Sequence, residues 1–337
     1  MAALYVTSVE KGSGKTAVCA GLGKHLLSDG KKIGFFKPLI TATKNPPKKG
    51  IDSDVAFIKQ LFALEEPVNL LCPVFSDASK LRNKIKEAYA KISQGKDVVI
   101  IEGISDQSQA ARDVVEALDA RVIIVESYSE ESLKAMNSYK DFGEHLLGIV
   151  LNKVPRSQVE QVRSATSAQF GQAGVNILGV LPEDRALFTL TIGELAECIQ
   201  GEILSGAEKS AELAENIMLG ALCVDPGPDY FGRKANKVVV VRSERPDMQL
   251  AALETSTRCL VLTGDAAAPQ SAVLDRAEEK NVPIILARDD TTAIVANIED
   301  ALGKTRFNEG NKLPKLSEIM EQHFNFQAVY KGLGLAD

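Results

Sequence analysis

Residues 2–20, AALYVTSVEKGSGKTAVCA, decide how the first half of the chain is read. An apolar run, Leu4–Val9, passes through a Gly-rich turn into Ala17–Leu27, which has apolar residues at helical spacing and stops at Asp29-Gly30. A strand that feeds a helix through glycines presents successive main-chain N–H groups at the helix's positive end, the arrangement that a polyphosphate needs. Residues 8–16 are therefore predicted to form a P-loop for ATP and Mg²⁺. Gly12 and Gly14 permit the turn, Lys15 is placed for the β- and γ-phosphates, and the Thr16 hydroxyl is a candidate Mg²⁺ ligand. Glu10, Lys11, Gly12, Ser13, Gly14, Lys15, Thr16 and Ala17 are the expected nucleotide contacts. The strict GxxxxGK[ST] pattern wants Gly where this chain has Val9, which alters the start of the loop and leaves its phosphate-binding half intact.

Working outward, five more short Val/Ile-rich runs follow: Lys32–Phe36, Val98–Ile101, Arg121–Val125, Leu147–Leu151 and Ile177–Leu181. Amphipathic stretches separate them, among them 78–94 and 107–118. Buried runs of this length joined by helical segments predict an α/β fold, an open and mostly parallel sheet with flanking helices. The Pro- and Lys-rich stretch Thr43–Gly50 reads as a solvated loop or a lid.

From Leu187 to Met218 the chain turns Ala/Glu-rich and reads as a helical bridge. A shorter α/β pattern follows, with strands at Lys237–Val241, Cys259–Thr263 and Val282–Ala287 and helices at Asp247–Glu254, Ser271–Lys280 and Thr291–Leu302. The expected division is 1–204, 205–306 and a tail, 307–337, with one helix near Leu316–Phe324.

A chain of 337 residues suits two domains, and 45% hydrophobic with 25% charged residues is the balance of a folded protein that stays out of the membrane. The net charge of −6 argues against nucleic acid or an anionic membrane surface as partner, since both need a positive field. There is no basic segment leading into an apolar one at the N-terminus, and no long apolar run, so a cytoplasmic location is expected. Five scattered cysteines and three histidines supply no zinc or iron–sulfur pattern.

In a parallel sheet, ligands sit beyond the carboxyl ends of strands. Glu102, which ends the run Val98–Ile101, is therefore expected beside Lys15 and Thr16, where a carboxylate holds Mg²⁺ or caps a helix. Asp52 and Asp54 precede a helical stretch, where acids usually cap. Lys37 and Asn152 fall at two further strand ends; an ammonium there suits a carboxylate, carbamate or phosphate, and an amide suits an adenine edge.

With these residues in place, the chain resembles the dethiobiotin synthetase/cobyrinic acid a,c-diamide synthase branch of P-loop ATPases. It resembles more closely the stretch that precedes the catalytic domain in long bacterial phosphate acetyltransferases, where a dethiobiotin-synthetase-like domain is followed by a DRTGG domain. The motifs are VTSVEKGSGKTAV, FFKPL, the SD of IDSDV, VIIEG, LNKV, GVLPEDRALFTLTIGELAE, ERPD and AEEKNVPIILARDDTT, covering practically the whole chain. The resemblance implies that Lys15 binds phosphates, that Thr16, Asp54 and Glu102 surround Mg²⁺, that Asn152 contacts adenine, and that Lys37 faces a second substrate. On that basis Lys15, Lys37 and Glu102 are the candidate catalytic residues.

Two departures are visible. Ile104-Ser105-Asp106 stands where the synthetase has small and Gly residues, so dethiobiotin synthesis itself is not expected. Ser243–Asp247 is a degenerate form of the DRTGG signature. With the sequence ending at Asp337, no acetyltransferase domain is expected to follow. The functions open to the chain are a regulatory or sensory ATP-binding protein with an effector at the second domain, an ATP-dependent ligase activating a small carboxylate or carbamate, or a structural module. A homodimer is expected from the resemblance.

Overall fold

The computed structural model describes all residues except 41–51, 76–80, 106–108, 130–139, 173, 221–226, 265–267, 306, 308–309 and 336–337. The stretch Thr43–Gly50 and Asp106 thus lie outside the described residues. The chain divides into two compact units, Met1–Asp184 with Phe307–Asp337, and Arg185–Arg306.

The first unit begins with β1 (Ala2–Thr7), α1 (Lys15–Ser28), β2 (Ile33–Phe36), β3 (Leu39–Ile40), α2 (Ser53–Leu61) and α3 (Val68–Leu71). It continues with β4 (Val74–Phe75), α4 (Leu81–Ile92), β5 (Val98–Glu102), α5 (Gln109–Leu118) and β6 (Arg121–Ser127). Strand β7 (Leu146–Val154), α6 (Val159–Gln172) and β8 (Ile177–Pro182) complete the run. Six strands form one sheet in the order β2-β5-β1-β6-β7-β8, every neighbouring pair parallel. All six runs read from the sequence are strands of this sheet. Strand β5 is buried at every position and β1 at all but its first, because helices cover both faces and leave no polar side to a strand. The order places the carboxyl end of β1 between those of β5 and β6, so the P-loop has a neighbour on each side.

The second unit contains α7 (Ile192–Cys198), β9 (Glu202–Ser205), β10 (Asn216–Leu219), α8 (Gly227–Phe231), β11 (Lys237–Arg242) and α9 (Pro246–Leu253). After these come β12 (Thr257–Thr263), α10 (Ser271–Glu279), β13 (Ile284–Ala287) and α11 (Thr291–Lys304). Its sheet runs β10-β11-β12-β13-β9, with β9 antiparallel at the edge. Alternation divides its core between two faces. Val238, Val240, Cys259, Val261 and Ile285 form one side with Ile294, and Val239, Val241, Leu260, Leu262 and Ile284 form the other with Phe231 and Val273.

The sequence reading of 187–218 as a helical bridge differs from the structure. Only Ile192–Cys198 is α-helical there, started by a capping box in which Thr191 and Glu194 exchange hydrogen bonds, and two strands follow. Ile192, Leu195, Ala196 and Ile199 pack into the core with Val238 and Val240, which is why the compact unit begins at Arg185 rather than at 205.

The C-terminal stretch, expected as a tail with one helix, carries two: α12 (Leu313–His323) and α13 (Phe326–Leu333). Both pack on the first unit. A Cβ on Gly21 of α1 would stand 2.1 Å from Met320 Sδ, and one on Gly332 2.3 Å from Leu147, so both helices approach through glycines. Leu316, Ile319, Met320 and Val329 are buried by this docking.

Candidate functional site

The loop from β1 to α1 has the backbone that its glycines predict. Gly12 (φ 77°) and Gly14 (φ 99°) lie in the left-handed region, and Gly14 caps α1. Glu10, Lys11 and Gly12 are exposed, while Ser13, Lys15 and Ala17 are buried. Lys15 Nζ donates to Ser8 Oγ at 2.8 Å and to Ser105 Oγ at 2.5 Å, so the ammonium is held across the mouth of the loop. Burial lowers its pKa, an effect opposed by the charge of Glu102.

Glu102 ends β5, and the chain must turn tightly after it. A Cβ on Gly103 would fall 2.3 Å from the Tyr5 ring, so the glycine of VIIEG is a packing requirement. Gly103 N donates to Val6 O and Thr7 Oγ1 to Ile104 O, fixing this turn to the end of β1. Thr16 Oγ1 then reaches Glu102 Oε1 at 3.2 Å.

Lys37 leaves β2 on the other side of β5 and is surrounded by acids. Its Nζ lies 2.7 Å from Asp54 Oδ2, 3.1 Å from Asp52 Oδ1 and 3.1 Å from Glu102 Oε1. Burial on its own would lower the Lys37 pKa, but Glu102, Asp54 and Asp52 outweigh it and hold the ammonium charged. Burial pushes the Glu102 carboxyl up, against the pull of Lys37. Asp52 also caps α2 by accepting from Asp54 N and Val55 N, whereas Asp54 is turned to Lys37. The two acids, alike in the sequence, have different work.

Asn152, near the end of β7, is buried, and its Nδ2 donates to Ser13 O at 2.8 Å. The amide expected at adenine is thus engaged with the P-loop backbone. Glu126, which no motif singled out, sits at the end of β6 and accepts from Val9 N at 2.8 Å. Its pKa is pushed up to about 7 by burial, against the Val9 hydrogen bond. Its one sequence signal is a carboxylate among the apolar residues of RVIIVES.

Glu102 Oε2 and Ser13 Oγ are buried with no hydrogen-bond partner among the described residues, and Thr16, Asp54 and Glu102 offer only hard oxygen ligands. No group of three or more His, Cys, Asp or Glu placed to hold a metal occurs among the described residues. Hard oxygens such as those of Thr16, Asp54 and Glu102 suit Mg²⁺, which takes one or two carboxylates together with phosphate oxygens and water.

With the geometry in place, comparison with known proteins gives the family. Residues 2–189, more than half of the chain, match the AAA domain model. The chain belongs to the AAA domain family. Residues 194–301 of this AAA-domain protein match the DRTGG domain. It is 22% identical over 366 residues to phosphate acetyltransferase of Nitrosomonas europaea, covering 99% of this chain and 52% of that one. It is 25% identical over 215 residues to ATP-dependent dethiobiotin synthetase of Caldicellulosiruptor saccharolyticus, covering 55% of this chain and 88% of that one. The cell division protein MinD of Aquifex aeolicus superimposes with a TM-score of 0.38 at 17% identity, over 56% of this chain and 84% of its own. The AAA-domain protein spans about half the length of the phosphate acetyltransferases it matches. The expected relation to the region preceding their catalytic domain, and to the synthetase's P-loop domain, is borne out. No helix among the described residues is long and apolar enough to cross a membrane.

Proposed function

We propose that this protein binds ATP with Mg²⁺ at the P-loop and acts as a regulatory or sensory unit, passing nucleotide occupancy to a partner enzyme, with an effector at the DRTGG domain. The observation that carries the nucleotide reading is the position of Lys15, buried and held by Ser8 and Ser105 at the Gly-rich loop. Thr16 and Glu102, with Asp54 nearby, would hold Mg²⁺. Bound there, the cation would neutralise phosphate charge. Lys15 would bind the β- and γ-phosphate oxygens, and the main-chain amides around Gly12 and Gly14 would surround them. The regulatory half of the reading is supported by the AAA–DRTGG domain order, which the chain has in common with phosphate acetyltransferases.

A second reading, an ATP-dependent ligase activating a small carboxylate or carbamate, is favoured by Lys37. It follows directly on β2, with its Nζ 3.1 Å from Glu102 Oε1, where a second substrate would meet the nucleotide. Release of ADP, measured with Mg²⁺ alone and then with a panel of carboxylic acids and diamines, separates the two. Slow turnover indifferent to the panel, with tight binding lost in Lys15→Ala, is the result expected for a sensor. Strong stimulation by one acid would transfer the assignment to a ligase. A homodimer is part of the proposal, and sedimentation with and without ATP tests it.

A further inference from the structure

The first unit contains a second cavity, on the side of the sheet's last strand. It is open, about 910 Å³ in volume, and lies between the C-terminal end of α1, the first residues of β8, and the chain joining α12 to α13. His25 lies ten residues beyond Lys15 on α1, about 15 Å along the helix axis at 1.5 Å per residue, so this space is separate from the P-loop.

Its walls combine two chemistries. One is aromatic: His25 stacks on Phe326 with centroids 3.6 Å apart and planes at 14°, Tyr330 meets His25 edge-on at 6.1 Å, and Phe324 lies 4.9 Å from Phe326. The other is cationic, from Lys31 and from Arg163, whose Nη1 also pairs with Glu160 at 3.2 Å outside the lining. Asp29, the one acid on the lining among the described residues, already accepts from Tyr330 Oη at 2.5 Å.

The third histidine contact makes the cavity a donor surface. Arg163 Nη2 lies 2.7 Å from His323 Nδ1. A guanidinium only donates, so Nδ1 accepts, the ring is neutral, and its proton is on Nε2. Burial, with the charge of Arg163, lowers the His323 pKa and keeps the ring in that form. Two local features keep the space open. Asn325 N donates to Leu178 O and Phe324 bridges Gly179, so the joining segment is pinned to β8 as an added antiparallel rung. A Cβ on Gly179 would come within 3.1 Å of both His323 O and the Phe324 ring, so a larger residue would have to push the joining segment outward by a few tenths of an ångström.

We infer that this cavity is a second binding site, for a small anion that carries a flat ring: the ring lies along the Phe326–His25 row, and the anionic group meets Arg163 and the His323 N–H. A nucleoside monophosphate and an aromatic carboxylate both have this chemistry.

The chain's own histidines provide the readout, because His25 and His323 line the cavity and His145 does not. Ring resonances of the full chain are followed by NMR during titration with AMP, with 4-hydroxybenzoate, with inorganic phosphate and with benzyl alcohol. The expected result is saturable movement of the His25 and His323 signals, with His145 still, on addition of AMP or 4-hydroxybenzoate; which of the two binds at lower concentration names the source. Arg163→Gln, a change at a half-exposed side chain, should weaken that response about tenfold, or about 1.4 kcal/mol. Signals unmoved by both ringed anions at millimolar concentration would overturn the inference. So would an equal response to phosphate alone or to benzyl alcohol alone, or an Arg163→Gln protein that binds as the parent does.

Discussion

The Val9 amide donates to Glu126 Oε1 across 2.8 Å, joining the start of the P-loop to the end of β6. The loop lacks the glycine that commonly stands at this position, and a buried carboxylate from the neighbouring strand holds its first N–H. Burial raises the Glu126 pKa from 4.5 to about 7. A carboxyl whose folded pKa is raised binds more protons in the folded than in the unfolded state, so its contribution to stability is present below the unfolded value and is lost as pH rises through the folded one. Urea midpoints are accordingly expected to fall between pH 5 and 8 by more in the parent than in Glu126→Gln. Parallel pH profiles for the two proteins would contradict the account.

Lys37 stands among three acids, Asp52, Asp54 and Glu102. Its removal in Lys37→Met leaves uncompensated, largely buried negative charge, expected to cost about 3 kcal/mol. Millimolar Mg²⁺ should recover much of that loss, since the same oxygens then have a divalent cation to face. Denaturation in EDTA and in Mg²⁺ is the comparison; an equal loss in both would show that these acids do not hold the ion.

Glu102→Gln keeps the shape of the side chain and removes its charge. Calorimetry should find Mg-ATP bound about tenfold more weakly, about 1.4 kcal/mol, with ATP in EDTA much less affected. An equal loss with and without Mg²⁺ would assign Glu102 to the loop's architecture and not to the cation.

Asn152 Nδ2 would stand 2.2 Å from a Cβ on Gly14, and Gly14 has φ 99°. Gly14→Ala is therefore expected to destabilise the first unit by about 2 kcal/mol from backbone strain and further from the clash, and to abolish nucleotide binding. Adding Asn152→Ala should relieve only the clash. Full recovery in the double variant, read from thermal melting and ATP titration, would mean that the conformation of Gly14 is not required.

In the second unit Lys237 is buried, with Nζ bonded to Thr255 Oγ1 and Ser256 O, and burial lowers its pKa from 10.5 to about 8. Here the unfolded state binds more protons, so stability should rise as pH goes from 8 to 10.5. Lys237→Met should flatten that rise and be the more stable protein at pH 7. Urea midpoints across this range check both statements.

Much of the site was legible because its chemistry is local. The glycines, Lys15 and Thr16 are consecutive, and Glu102 is set at the end of a run of four apolar residues, so strand, turn and helix imply their placement once the sheet is parallel. Asp52 and Asp54 were less legible: two acids at a helix start look alike, and only the fold shows that both meet Lys37 while Asp52 also caps α2. Asn152 was read as facing adenine from its strand end, and its hydrogen bond to Ser13 O follows from how closely β7 approaches the loop. Strands β9 and β10 escaped notice because edge strands take their order from hydrogen bonds to β13 and β11, not from apolar content of their own.

By itself the sequence determined the parallel sheet and the P-loop at its leading strand, since each follows from residues close together along the chain, and its motifs carried the resemblance to a P-loop domain followed by a DRTGG domain. The tertiary structure alone decided that Glu126 completes the loop, that one ammonium serves three acids, and that residues 313–333 return to the first unit and wall a second cavity beside β8. Those relations join positions tens to hundreds of residues apart, and only packing brings such positions within hydrogen-bonding distance.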